Sequence, residues 1–316
     1  MRRRLLLLAA LLGLAPSAAM AAGAQGQVAL TFDDLPALTI LKSQAYVDYA
    51  NDMILRGLKR HHMPAIGFVN EGKLDELDRP AQIANLKKWR DAGMQLGNHT
   101  FSHESPNGIR AAAYTADIAR GDKVTRALLE ERHRTLSWFR HPYLETGLPK
   151  ADKIQIDEWL TAHGYRIAPV TMEASDWMFA EPYDDAIARK DEARIKRIKT
   201  EYLDYTDRMI GWYQRASQSL LKRQIRFIFL LHVTRLNADS MDDLARILAR
   251  HQLRAVSLET AMEDPAYRIK DPYVGSEGIE WLERWSLEMR KELPWDDFAD
   301  PPADIEAEYR LVDSDH

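Results

Sequence analysis

The segment Gln95–His103, QLGNHTFSH, sets a short apolar run and a glycine directly ahead of two histidines at i and i+4. His99 and His103 can point to the same side of one turn of backbone and offer two imidazoles to one divalent ion. Taken alone, the pair is better explained as a solvated turn with satisfied histidines. What surrounds the segment decides the fold. A run of helical period, Ala81–Ala92, precedes it and stops at Gly93, a C-cap residue, so Met94–Gly97 reads as a short strand entered from a helix and left through the histidine turn.

Working outward, the same unit recurs. Strands are expected at Val28–Phe32, Ala65–Val69, Leu136–Phe139, Tyr165–Pro169, Arg226–Leu231 and Arg254–Ser257. Helices are expected between them, most clearly over Gln44–His61, Ala111–Arg132, Lys150–His163 and Ser240–His251. Alternating βα units make an α/β fold around a parallel sheet or barrel. Two segments break the rhythm. Asp184–Arg223 is charged and helix-prone, longer than one crossover needs, and reads as two helices over one rim. The tail from Asp264 carries Trp281, Trp285 and Trp295, and reads first as a helix and arm packed on the outside and second as an aromatic platform for sugars.

Composition narrows the chemistry. The 43 Lys and Arg against 48 Asp and Glu, with no long basic run past the N-terminus, give no basis for capture of nucleic acid or an anionic membrane. The chain has no cysteine, so disulfides, thiolate zinc sites and cysteine nucleophiles are excluded, and imidazole and carboxylate are the strong metal ligands left. Residues 1–24 read as an export signal: MRRR, an apolar core from Leu5 to Ala15 too short to span a bilayer, then small residues around Ala19, Ala21 and Ala22. The mature chain is expected to be periplasmic or secreted, with no stable membrane span once the signal is removed.

The polar residues that could do chemistry come at the ends of the expected strands. Asp33 and Asp34 end the first, His99 and His103 follow the third, Arg140-His141-Pro142-Tyr143 ends the fourth, Asp176-Trp177 follows the fifth, and Leu230-Leu231-His232 ends the sixth. Adjacent carboxylates at a strand end repel unless a cation compensates, and active sites of parallel α/β folds lie at those carboxyl ends.

In order and type these groups resemble the five motifs of the polysaccharide deacetylases, carbohydrate esterase family 4, over Val28 to about Leu258. The resemblance implies a distorted, incomplete (β/α) barrel of about seven strands, here with a helical insertion over 184–223 and a C-terminal helical extension over 263–316 following a catalytic domain of 25–262. It implies one divalent metal, zinc first and cobalt or another ion next, on Asp34, His99 and His103. Asp33 would be the general base, oriented by Arg140; His232 would be the general acid, oriented by Asp176. The backbone N–H of Tyr143 would face the oxyanion, and Trp177 and Leu230 would wall the acetyl methyl. The implied partner is an acetylated glycan of the peptidoglycan, chitin or poly-N-acetylglucosamine kind, deacetylated at nitrogen or at oxygen.

Departures bear on the substrate. Leu35 stands where the family has Gly after the Asp pair and would narrow the site; His141 stands for Pro, Glu173 for the leading acid of the fourth motif, and Val233 for an Asp. A small acetylated molecule is an alternative substrate. Two further classes remain: oxidative chemistry, since two His and a carboxylate also suit non-haem iron, and a glycan-binding protein without catalysis. The paired Asp33-Asp34 and His232 argue for acid–base hydrolysis over the first, and the presence of both Asp33 and His232 argues against the second. The remaining histidines, His61, His62, His133, His163 and His251, read as structural, at helix ends.

Overall fold

Strand β1 (Gly26–Leu35) is the axis of the sheet because its buried run is unbroken from Val28 to Leu35, as a strand covered on both faces requires. The computed structural model describes residues 26–313, and the expected export signal lies outside them. Strand β2 is Ala65–Val69, β3 Gln95–Asn98, β4 Trp138–Phe139, β5 Arg166–Ile167, β6 Arg226–His232 and β7 Leu253–Val256. Every pairing is parallel, and the 7-stranded sheet runs β5-β4-β3-β2-β1-β6 with β7 on β1. All seven expected strands are present. Past β5 the Thr171 N–H donates to Ile228 O at 3.0 Å and the Leu230 N–H to Met172 O at 2.9 Å, so the backbone reaches β6 and the sheet curls into a half-barrel.

The helices are α1 (Gln44–Arg60), α2 (Arg79–Asp91), α3 (Ala111–Arg120), α4 (Lys123–Glu130), α5 (Lys150–Ala162), α6 (Asp176–Ala188), α7 (Glu192–Leu221), α8 (Arg235–Arg250), α9 (Leu258–Met262), α10 (Trp281–Met289) and α11 (Ala303–Val312). Three boundaries differ from expectation, each for a local reason. The single helix expected over Ala111–Arg132 is α3 and α4, broken at Gly121, where a Cβ would lie 2.3 Å from the Thr100 carbonyl carbon. The chain passes too close to the histidine loop for any side chain. Helix α8 starts ahead of Ser240 because Thr234 caps it, its side chain accepting the Asn237 N–H. The two-helix insertion begins earlier, at Asp176, and its second member is a 30-residue helix whose buried face, Ile198, Tyr202, Tyr205, Met209, Trp212, recurs at helical spacing. It packs against α6, α8 and α10, extending the outer helical layer.

The tail, expected on the outside, is partly inside. Leu282 and Trp285 are fully buried, and the Trp281 N–H donates to Val170 O at 2.8 Å, seating α10 against the segment that follows β5. Trp281 and Trp285 are thus core residues and no sugar platform, while Trp295 packs on Trp212 and Phe298. His61, His163 and His251 sit at helix C-caps, as expected. No helix among the described residues is long and apolar enough to cross a membrane.

Candidate active site

Side chains alternate along a strand, so consecutive carboxylates should face opposite ways. At the end of β1 they do not. Its register with β2 shifts between Phe32 and Leu35, and Asp34 is left-handed (φ 62°), a conformation Asp tolerates better than most residues. Asp33 and Asp34 therefore both line one cavity of about 440 Å³ at the carboxyl ends of the strands. Leu35 falls elsewhere: it is fully buried against Gly67, where a Cβ would sit 2.6 Å from its Cδ2, so it does not narrow the cavity.

His99 and His103 converge through a turn. Asn98 Oδ1 accepts the Thr100 N–H at 2.7 Å, Thr100 is left-handed (φ 68°), and its hydroxyl accepts the His103 N–H at 3.0 Å. This brings the two rings to 5.0 Å. His99 Nδ1 lies 2.8 Å from the Arg140 carbonyl, which can only accept, so Nδ1 carries the proton and Nε2 presents its lone pair. His103 Nε2 is 3.4 Å and His99 Nε2 3.8 Å from Asp34 Oδ1. That oxygen is buried without a hydrogen-bond partner among the described residues. The three ligand atoms lie within 4.8 Å of one another. An orphaned carboxylate oxygen facing two imidazole Nε2 atoms is a donor set that a borderline cation such as zinc satisfies. Burial opposes ionisation of Asp34, but Lys73, 3.7 Å away, and the histidines outweigh it and hold the group well below the usual carboxylate range.

Asp33 faces His232 across the β1–β6 pairing. Arg140, fully buried, donates to Asp33 Oδ1 at 3.0 Å and to the Thr31 hydroxyl at 2.7 Å, and is held by Ala168 O and Pro169 O. Burial raises Asp33 to about 6 against the pull of Arg140 and His232. On the other strand, His232 Nδ1 is 2.7 Å from Asp176 Oδ1, while Asp176 Oδ2 accepts the His232 N–H at 2.7 Å. Burial would lower His232; the Asp176 charge and hydrogen bond, with Asp34 and Asp33 beyond, raise it to about 9. Asn237 Nδ2 also donates to Asp176 Oδ2, at 2.5 Å, and Asn237 Oδ1 accepts the Tyr202 hydroxyl at 2.6 Å.

Tyr143 and Leu144 are consecutive left-handed residues (φ 56° each), a conformation costing about 1–2 kcal/mol per residue. The Tyr143 ring packs on His103 at 4.7 Å. Leu230, Leu144 and Val170 form a small apolar cluster apart from the main core. Trp177 lines the cavity and packs on Tyr309 at 5.0 Å. Asp33, Asp34, His99, His103, Tyr143, Trp177, Leu230 and His232 thus line one cavity, with Arg140 and Asp176 bonded to its groups. Sequence reasoning missed Lys73, Leu144, Glu181 and three tail residues, Gly278, Glu280 and Tyr309, which line the cavity or touch its groups. Nothing in the local pattern of the tail marks them, because only tertiary packing brings them there. His141, unassigned by pattern, is buried in the cavity wall with Nδ1 3.0 Å from the Tyr114 hydroxyl.

A family model described as polysaccharide deacetylase matches residues 21–159. A family 4 (CE4) pseudoenzyme from Bacillus anthracis superposes with a TM-score of 0.51 at 15% identity, over 76% of this chain and 66% of its own. Its mutant with restored enzymatic activity gives 0.51 at 17% identity over 76% and 68%. A polysaccharide deacetylase from Bacillus cereus gives 0.50 at 16% identity over 74% and 92%. No curated protein matches the sequence. At these identities the solved structures establish the shared fold, and since that fold also carries a pseudoenzyme, activity has to be argued from the residues. By the match over residues 21–159, less than half of its length, the chain is similar to the polysaccharide deacetylases, and it shares their half-barrel fold with these structures.

Proposed function

We propose that the protein is a metal-dependent hydrolase that removes acetyl groups, N-linked in the first place, from an extracytoplasmic amino-sugar glycan. The observation that carries this reading is the pairing of Asp33 with His232 on adjacent strands, beside the Asp34, His99 and His103 cluster, with Asp33 at about 6 and His232 at about 9, so that between these values the carboxylate is ionised and the imidazole protonated. A divalent ion on that cluster would act as a Lewis acid and lower the pKa of a bound water from 15.7 towards ~7.

The chain's own groups do the rest. Asp33, held by Arg140, takes the proton of the water that attacks the acetyl carbonyl carbon. The Tyr143 backbone N–H faces the oxyanion that forms. His232, kept protonated by Asp176, gives its proton to the nitrogen as the C–N bond breaks, so acetate and a free amine leave. Leu230 and Leu144 seat the acetyl methyl beside Trp177. A short oligosaccharide or small acetylated molecule is the second reading, favoured by the tail residues that wall the cavity. Export by residues 1–24 belongs to the proposal.

Acetate release from a panel of acetylated glycans and short amides, with zinc, cobalt and chelator arms, tests it. Asp33→Asn is expected to keep metal and lose turnover, and His99→Ala to lose both. Near-full turnover of Asp33→Asn at saturating metal would remove Asp33 as the base.

A further inference from the structure

The left-handed pair Tyr143–Leu144 is held from outside its own motif. Gly278, in the tail, lies so close that a Cβ there would sit 1.6 Å from the Tyr143 carbonyl oxygen and 3.2 Å from Glu145 N. Only glycine lets the two backbones approach this far. Arg284 on α10, with no exposed surface, donates through Nη2 to Leu144 O at 2.5 Å, through Nε to Ile279 O at 2.8 Å and through Nη1 to Asp271 at 2.9 Å, with its guanidinium 3.9 Å over Trp281. A buried guanidinium with each nitrogen engaged makes a rigid fork. Asn107, on the loop after His103, donates to the tail at Ser276 O (3.2 Å), and Glu280 of the same segment lines the cavity. The backbone of 143–145 is thus gripped by the tail, which is itself tied to the histidine loop.

We propose that the tail segment Asp271–Arg284 is a working part of the active site: Gly278 and Arg284 are positioning residues that fix the Tyr143 turn in the geometry its backbone N–H needs. The inference rests on the deacetylase reading and extends it. Within the turn, the Leu144 N–H donates to His141 O and the Glu145 N–H to Pro142 O, both at 3.2 Å, the long end of the hydrogen-bond range. Misplacing a catalytic group by about 1 Å costs about 10²-fold in rate.

Two measurements on the full-length protein test this. Gly278→Ala is expected to lower kcat for acetate release about 10²-fold, with KM and zinc affinity by titration unchanged, and to speed amide hydrogen exchange in the peptide covering 142–147. Gly211→Ala on α7, outside the segment and with ordinary contacts of 3.4 Å to Arg215 and His251 for its Cβ, serves as control and is expected to leave kcat and exchange as in the wild type. If Gly278→Ala fails to fold, Arg284→Lys, which keeps the charge and loses the fork, carries the same two expectations. Wild-type kcat and wild-type exchange in the folded variant overturn the proposal, as does an equal loss in Gly211→Ala. If the wild type releases no acetate from any substrate, the deacetylase reading fails by itself, and the exchange comparison still decides whether the tail clamps the turn.

Discussion

His232 and Asp33 sit opposite each other on neighbouring strands, and both hold their protons more tightly than usual, Asp33 to about 6 and His232 to about 9. Asp176 meets His232 at both the ring and the backbone, so the imidazolium is favoured up to about 9. An acid with a raised pKa is loaded below that value and lost as pH rises through it, so activity is expected to fall on the alkaline side near 9. Asp176→Asn keeps the hydrogen-bonding shape and removes the charge. Its alkaline limb is expected to move down towards the ordinary histidine value of ~6.5, and a pH profile of kcat at saturating metal reads this. A limb unmoved by the substitution would take Asp176 out of the role given to it.

Among the elements, α7 contributes most that the barrel alone would lack. Tyr202 on α7 bonds Asn237 on α8, which bonds Asp176 at the start of α6, which bonds His232 on β6. The first two links are buried and the third partly so, so breaking either of the first two strands a polar atom. Tyr202→Phe is expected to cost about 1–3 kcal/mol in urea unfolding, the penalty for an unsatisfied buried acceptor, and to lower kcat by less than Asp176→Asn does. Unchanged unfolding would mean that water replaces the hydroxyl. The break between α3 and α4 does comparable work beside the metal cluster: because Gly121 lies against Thr100, which shapes the His99–His103 turn, Gly121→Ala is expected to weaken zinc binding about 10- to 100-fold, as loss of a supporting contact to a metal ligand does. Isothermal titration checks it.

On the scale of the whole molecule, the tail and the barrel share one core. Removing everything after Met262 would take away Ala266, Leu282, Trp285 and Ile305, all of them buried in the full chain, and bare the apolar surfaces they cover. The truncated chain is expected to aggregate, read by size exclusion; a soluble, cooperatively folding product would make 263–316 a separable extension. Metal should stabilise the folded chain by mass action, about 2.7 kcal/mol when free zinc exceeds its Kd a hundredfold. Thermal melts with and without zinc are expected to separate for the wild type and to coincide for His99→Ala.

The sequence by itself determined those features that periodicity and residue type dictate. Seven short apolar runs separated by helical segments specify parallel βα units, and the barrel's carboxyl ends gather whatever comes after each strand, so Asp33, Asp34, His99, His103, Arg140, Asp176 and His232 were legible as one candidate site. The left-handed turns at Asp34, Thr100 and Tyr143 were not, because non-glycine residues there carry no local signal and are held by contacts distant in sequence. The same reason hid the break at Gly121 and the place of Gly278, Glu280 and Arg284. A glycine's need for closeness and an arginine's partners exist only once another part of the chain has arrived, and that meeting is decided by tertiary packing.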